Sequence, residues 1–143
     1  IDCKVITIDI NPKWSIDPKS LNILSIKGMS TNSSVVNEVK AYVERYANSG
    51  NVIVLLDSDH SRENVIRELS IYSQFVTEGS YAIVEDTNVN GHPSFPAHGP
   101  GPWEAVDDFL DGEGSTYFEV DRSRERFLLT FNPRGYLRKK INT

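Results

Sequence analysis

Two short apolar runs, and the helix-like segment between them, constrain the fold of this chain most. Residues 51–56 (NVIVLL) and 81–84 (YAIV) are almost entirely apolar, as expected for strands that are buried on both faces of a parallel sheet. Between them, Ser61 is a suitable N-cap, and apolar residues recur at helical spacing as far as Phe75. A strand, a helix and a second parallel strand make up the basic unit of an α/β fold.

The rest of the chain continues this alternation of strands and helices. The other predicted strands are residues 4–10, 21–26, 117–120 and 126–131, and the other predicted helices are residues 32–47 and 103–110, the last opened by Pro102. The run from His92 to Pro102 is rich in proline and glycine, which favours an extended loop. The basic residues 134–140 are expected to form a solvated terminus. The prediction is a Rossmann-like α/β fold, a doubly wound and mostly parallel sheet with a late antiparallel addition.

Composition limits the classes of function. At 143 residues the chain has the length of one domain, so residues 1–143 are expected to form a single domain. A net charge of -5 argues against binding to nucleic acid or to an anionic membrane surface, and no apolar run reaches the ~18 residues of a membrane-spanning helix. Cys3 is the only cysteine, which excludes an internal disulfide and fits a reducing, cytoplasmic location.

Acidic residues follow three of the predicted strands. Asp9 ends the first, Asp57 follows the 51–56 strand, and Glu85 and Asp86 follow the 81–84 strand. Ligands of open α/β sheets bind beyond the carboxyl ends of the strands. Crowded carboxylates repel one another unless a cation neutralises them, and Mg²⁺ prefers oxygen ligands. We therefore expect Asp57, Glu85 and Asp86 to bind a metal ion; the alternative is that they are helix caps or solvated acids.

Two other segments have the chemistry of a nucleotide-like cofactor site. An acid in the position of Asp9 can accept hydrogen bonds from ribose hydroxyls. After the next strand, an adenine could lie against four consecutive residues that offer close approach, an apolar surface and hydroxyls: Gly28, Met29, Ser30 and Thr31. A purely structural role, a helix N-cap at Ser30 or Thr31, is the alternative and is compatible with adenine binding.

The chain has three histidines, and one of them is a candidate catalytic group. His60 opens the helix that follows Asp57, and a neutral imidazole there could accept a proton from a substrate hydroxyl. Its alternative role is a cap or a surface residue. His92 and His98 lie in the proline-rich loop and are expected to face solvent rather than substrate.

The order of these segments resembles the catechol and caffeoyl-coenzyme-A type of Mg²⁺-dependent O-methyltransferase. The similar phrases are VITIDINP (5–12), KGMST (27–31), LLDSDH (55–60) and VEDTNVNG (84–91). A closer resemblance is to the cephalosporin hydroxylase and rhamnosyl O-methyltransferase family. Its phrases have near counterparts in LLDSDHSRENVIREL, GSYAIVEDTNVNG, GPGPWEAVDDFL and FNPRGYLR, and the resemblance covers roughly residues 4–139.

This resemblance implies the cofactors, the substrate class and the role of each residue. The cofactors are S-adenosylmethionine and Mg²⁺, and the acceptor is a hydroxyl of a small molecule such as a sugar or a secondary metabolite. Asp57, Glu85 and Asp86 correspond to the metal ligands, with Asp57 also beside the cofactor. Asp9 corresponds to the ribose-binding acid, and residues 28–31 to the adenine-binding segment. His60 stands where the catechol-type enzymes have a lysine, and it is the expected proton acceptor in this chain.

One expected part of such a fold has no counterpart in this sequence. The first strand and the glycine-rich loop that hold the methionine part of the cofactor are absent, since the chain begins at Ile1 and enters a strand almost at once. We expect a gap between the strand of Asp9 and the strand of Asp57, filled by a segment outside this sequence, by a second copy in a homo-oligomer, or by a rearranged sheet. The rival functions are a truncated, inactive binding or assembly module and an oxidative hydroxylase. The hydroxylase is disfavoured because no set of two histidines and one carboxylate is evident.

Overall fold

A computed structural model describes residues 3–13, 22–47, 50–126 and 129–142. It contains two compact units, residues 1–48 and residues 49–143. Each unit combines strands with helices, so the mixed α/β class is confirmed. The prediction that residues 1–143 form a single domain stays a prediction.

The first unit consists of two parallel strands and one helix. Strand β1 (Val5–Asp9) pairs with β2 (Ile23–Lys27) over five residues, with Asp9 opposite Lys27. Helix α1 (Ser33–Tyr46) begins at Asn32, whose side chain accepts a hydrogen bond from the Ser34 backbone N–H at 2.9 Å. The cap is therefore Asn32, and the predicted cap at Ser30 or Thr31 is wrong. Val35 and Val39 are the buried residues of this helix.

The second unit contains a four-stranded sheet and three helices. Its elements are β3 (Val54–Leu56), α2 (Arg62–Tyr72), a 3₁₀ turn (Ser73–Phe75), β4 (Tyr81–Val84), α3 (Pro102–Asp111), α4 (Gly114–Tyr117), β5 (Phe118–Val120), a second 3₁₀ turn (Arg122–Arg124) and β6 (Tyr136–Lys139). The strand order is β3-β4-β6-β5. β3 and β4 are parallel, whereas β6 is antiparallel to both β4 and β5. Leu69, Val84 and Leu137 are completely buried in this unit.

The sheets match the predicted mixture of strand directions but not the predicted single sheet. Parallel pairing of β3 with β4 and a late antiparallel addition are both present. Within the described ranges, however, β1 and β2 form one sheet and the other four strands form another. A single doubly wound sheet is therefore not seen in the described part of the chain.

The last strand was predicted in the wrong place. Phe127 and Leu128 lie outside the described residues, and the described remainder of 126–131 is not a strand. The strand that pairs with β5 is β6, inside the basic segment that was expected to be a solvated terminus. Leu137 is fully buried in this strand, and the ammonium group of Lys139 donates to the Val76 carbonyl at 2.8 Å. The positive charge of Lys139, which led to the prediction of a solvated segment, is thus bound by a backbone carbonyl.

None of the described helices has the length and apolar character needed to cross a membrane.

Candidate metal centre

The carboxyl ends of two neighbouring parallel strands bring the predicted acids together. Leu56, the last residue of β3, is in register with Val84, the last residue of β4. The backbone N–H of Glu85 donates to the Leu56 carbonyl at 3.0 Å, which extends the pairing by one step. Asp57 and Glu85 therefore leave the same edge of the sheet, as the alternation of apolar runs and acids predicted.

Asp57, His60 and Asp86 converge on one point. One oxygen or nitrogen atom of each lies within 4.8 Å of the corresponding atom of the other two. Nε2 of His60 is 3.4 Å from Oδ1 of Asp57 and 3.5 Å from Oδ2 of Asp86. This nitrogen is shielded from solvent and has no hydrogen-bond partner in the described part of the chain. A buried polar atom without a partner, between two carboxylates, is a feature that needs an explanation, and an ion is one of the usual ones.

Glu85 lies next to this group without belonging to it. Its carboxylate is not one of the atoms that converge within 4.8 Å. Burial raises the pKa of Glu85, and the negative charges of Asp57 and Asp86 raise it further. A divalent cation would offset this repulsion and favour the ionised form. The three acids therefore interact electrostatically, and the role of Glu85 as a metal ligand stays a prediction.

A buried glutamate anchors the loop between Asp57 and His60. Glu68, on α2, is only 2% exposed, and its Oε1 accepts a hydrogen bond from the Ser58 hydroxyl at 2.7 Å. Asn64 donates to the same hydroxyl at 3.0 Å and to the Asp59 carbonyl at 3.1 Å. Sequence reasoning missed Glu68, although its position between Val65 and Leu69 on the buried face of α2 was a usable signal.

Asp86 adopts a left-handed backbone conformation, with φ of 52°. Aspartate tolerates this region better than most residues. The Asp86 backbone N–H donates to Oδ1 of Asn132 at 2.9 Å, and the buried Thr87 hydroxyl donates to the Pro133 carbonyl at 2.6 Å. The segment before β6 thus holds the turn that carries Asp86.

The proline-rich loop is held by Glu104 and contacts the backbone of His60. The Glu104 carboxylate accepts hydrogen bonds from the Gly101 backbone N–H at 2.7 Å and from the Asn90 amide at 2.8 Å. A Cβ at Gly101 would lie 3.2 Å from the His60 carbonyl oxygen, so glycine permits this close approach. The described structure therefore fixes His60 both through α2 and through this loop.

The two loop histidines differ in their surroundings. His92 stacks on Trp103 at 4.2 Å between ring centroids, and its Nε2 is 3.1 Å from the Glu104 carboxylate. The expectation that His92 faces solvent is therefore wrong, because an aromatic ring and a carboxylate both contact it. His98 is exposed, as expected.

In the first unit, the predicted cofactor residues lie at the carboxyl ends of β1 and β2. The Gly28 backbone N–H donates to the Asp9 carbonyl at 3.0 Å. The Asp9 carboxylate accepts a hydrogen bond from the Asn11 backbone at 2.6 Å and is otherwise exposed. A Cβ at Gly28 would lie 2.7 Å from the Val35 side chain, so close packing requires glycine there. Met29 is 63% exposed, and Ser30 and Thr31 complete the turn that leads to α1.

The fold is similar to that of a methyltransferase of known structure. The structure of MycE methyltransferase from the mycinamycin biosynthetic pathway, in complex with Mg, SAH and mycinamycin VI, superposes with a TM-score of 0.63 at 15% identity, covering 96% of this chain and 36% of that chain. A second structure of MycE, with Mg and SAH, gives a TM-score of 0.57 at 16% identity over the same shares.

Sequence relatives then define the family. Residues 1–140 match the family described as Rhamnosyl O-methyltransferase/CmcI, and the chain belongs to this family. The rhamnosyl O-methyltransferase of Mycobacterium leprae (strain TN) is 36% identical over 140 residues, which are 96% of this chain and 59% of the relative. That of Mycobacterium tuberculosis (strain ATCC 25618 / H37Rv) is 32% identical over 137 residues, 94% of this chain and 55% of the relative. The chain thus spans somewhat over half the length of these relatives.

Proposed function

We propose that this chain takes part in the Mg²⁺-dependent transfer of a methyl group from S-adenosylmethionine to a sugar hydroxyl of a small molecule. Membership of the Rhamnosyl O-methyltransferase/CmcI family supports the reaction and the sugar acceptor. The single observation that carries the metal dependence is the convergence of the Asp57 and Asp86 carboxylates on one point, where a cation would offset their repulsion.

The donor atoms present fit a hard divalent cation. Asp57, Asp86 and the adjacent Glu85 offer carboxylate oxygens, which are the ligands that Mg²⁺ prefers. Mg²⁺ held by these residues would lower the pKa of an acceptor hydroxyl, and S-adenosylmethionine would supply the methyl group. The solved MycE structures described with Mg and SAH support this choice of cofactors.

His60 accepts the proton of the acceptor hydroxyl in this proposal. Its Nε2 lies 3.4 Å from Oδ1 of Asp57 and 3.5 Å from Oδ2 of Asp86, so the ring faces the point where the acceptor hydroxyl would be held. The segment before His60 is held by the hydrogen bond between Ser58 and Glu68. Gly101 lies against the backbone carbonyl of His60 itself. A fixed position of the base raises the reaction rate, because less entropy is lost in orienting the reacting groups.

The cofactor residues of the first unit complete the proposal. Asp9 accepts hydrogen bonds from the ribose hydroxyls, and residues 28–31 border the adenine. The exposed carboxylate of Asp9 and the exposed side chain of Met29 leave these groups accessible to a ligand.

The test is a methyl-transfer assay with radiolabelled S-adenosylmethionine and 4-nitrophenyl α-L-rhamnoside as the acceptor. We expect labelled product that requires Mg²⁺ and disappears with EDTA. Asp57→Asn should abolish transfer, whereas Asp111→Asn, which changes an exposed acid at the end of α3, should not. Folded protein that binds Mg²⁺ and S-adenosylhomocysteine but methylates no glycoside would contradict the proposal and favour a binding module.

His60 has its own discriminating test, because its Nε2 could serve as a ligand or as a base. His60→Gln should lower the rate of transfer while the affinity for Mg²⁺ stays within about twofold of the unsubstituted value. A parallel loss of Mg²⁺ affinity would assign His60 to the ligand set instead.

A further inference from the structure

A cleft of about 610 Å³ adjoins the acidic group, and its walls include Glu85 and Asp86. Its other described walls are Arg124, Arg126, residues 129–132 and Tyr136, and the described residues of the proline-rich loop do not line it. The cleft therefore offers a place for the bulk of a substrate whose reacting hydroxyl meets the acids.

The apolar wall of the cleft is unusually exposed. Leu129 is 69% exposed and Phe131 is 65% exposed, and both line it. Large apolar side chains that remain exposed in a concave surface mark a place where a ligand is bound. The flat face of an aromatic ring suits the apolar face of a sugar ring or an aromatic aglycone.

Arg126 gives the cleft a positive charge that the described protein does not neutralise. Its Nε donates to the Ser123 carbonyl at 3.0 Å, and no described carboxylate lies within ion-pair distance of its guanidinium. The neighbouring arginines differ: Arg124 is 3.4 Å from Asp121, and Arg122 is 3.1 Å from Glu125. Arg126 is thus the cleft arginine whose charge remains available to a ligand.

We propose that this cleft binds acceptor glycosides that carry an anionic group, with Arg126 pairing the anion and Phe131 and Leu129 contacting the sugar or its aglycone. The proposal rests on the proposed methyl transfer and specifies its substrate class. A guanidinium binds carboxylate and phosphate groups through a planar pair of donors, and such charge-assisted bonds are stronger than neutral ones. When a divalent cation neutralises Glu85 and Asp86, Arg126 is the group in the cleft that favours anionic acceptors over neutral ones.

The experiment compares two probes that differ at one carbon, 4-nitrophenyl β-D-glucuronide and 4-nitrophenyl β-D-glucoside. Both carry the same aromatic aglycone, but only the glucuronide has a carboxylate. Their dissociation constants are measured by isothermal titration into the 143-residue chain with saturating Mg²⁺ and S-adenosylhomocysteine. We expect the glucuronide to bind about tenfold more tightly, as one charge-assisted bond allows.

The matched variants are Arg126→Gln and Arg122→Gln. Arg126→Gln should remove the preference for the glucuronide, whereas Arg122→Gln, which changes an exposed arginine paired with Glu125, should retain it. Equal binding of the two probes, or a preference that survives Arg126→Gln, would overturn the proposal. Methyl transfer to the same two probes is measured separately, with S-adenosylmethionine in place of S-adenosylhomocysteine. An Arg126-dependent preference without any transfer would contradict the proposed reaction while leaving the anion site intact.

Discussion

The Glu104 carboxylate should contribute to stability in a manner that depends on pH. Burial alone would raise the pKa of Glu104, but hydrogen bonds from the Gly101 backbone and from the Asn90 and His92 side chains outweigh burial and hold the pKa at about 2, against a usual 4.5. Each tenfold change in proton affinity corresponds to about 1.4 kcal/mol. The difference amounts to about 3 kcal/mol as an upper limit on the unfolding free energy that ionisation of Glu104 adds near neutral pH.

The substitution Glu104→Gln preserves the shape of the side chain and removes its charge. Since an amide still accepts some of these hydrogen bonds, we expect a loss of about 2 kcal/mol near neutral pH. The folded-state pKa is depressed, so the stabilisation is fully present above pH 4.5 and is lost as pH falls towards 2. The difference between the two proteins should therefore shrink towards zero over that interval.

Urea unfolding followed by tryptophan fluorescence measures this difference. The chain has two tryptophans, and a Trp14→Phe background leaves Trp103, which stacks on His92 beside Glu104, as the reporter. Glu113→Gln, at an exposed glutamate, is the matched control and should change the unfolding free energy by under about 0.5 kcal/mol. A loss from Glu104→Gln that is equally small, or one that does not vary with pH, would refute the reasoning.

Two further substitutions test the support of the site and of the sheet. Glu68→Gln should weaken Mg²⁺ binding about tenfold, because it changes the acceptor that holds the Ser58 hydroxyl beside Asp57. Unchanged affinity measured by calorimetry would show that this contact does not position the loop. Leu137→Ala should lower the unfolding free energy by about 2–5 kcal/mol in urea denaturation, because Leu137 is completely buried. The control Leu129→Ala should lower it by well under half as much, because Leu129 is largely exposed. Equal losses would argue against β6 as a core strand.

Local sequence patterns were sufficient to predict the strands that precede the acidic residues. The runs 51–56 and 81–84 contain β3 and β4, and the strand ends at Leu56 and Val84 are those observed. The parallel register of these strands explains why acids distant in sequence converge. Their convergence could be predicted because it depends on strand direction alone.

The final strand could not be predicted in the same way. Residues 126–131 are more apolar than residues 136–139, so local hydrophobicity favoured the wrong segment. What decides the position of β6 is pairing with two strands at once, β4 and β5, which buries Leu137 completely. This tertiary constraint is invisible in the local sequence. Glu68 has a usable local signal, its place on the buried face of α2, but its hydrogen bond with Ser58 is apparent only in the structure.

The most direct test of the central claim is a calorimetric titration of Mg²⁺ into the chain and into its Asp57→Asn variant. We predict saturable binding to the unsubstituted protein, a loss of affinity of at least about tenfold in Asp57→Asn, and no change in Asp111→Asn. Folded protein that does not bind Mg²⁺, or that binds it equally well without the Asp57 carboxylate, would contradict the assignment of Asp57, Glu85 and Asp86 as a metal centre.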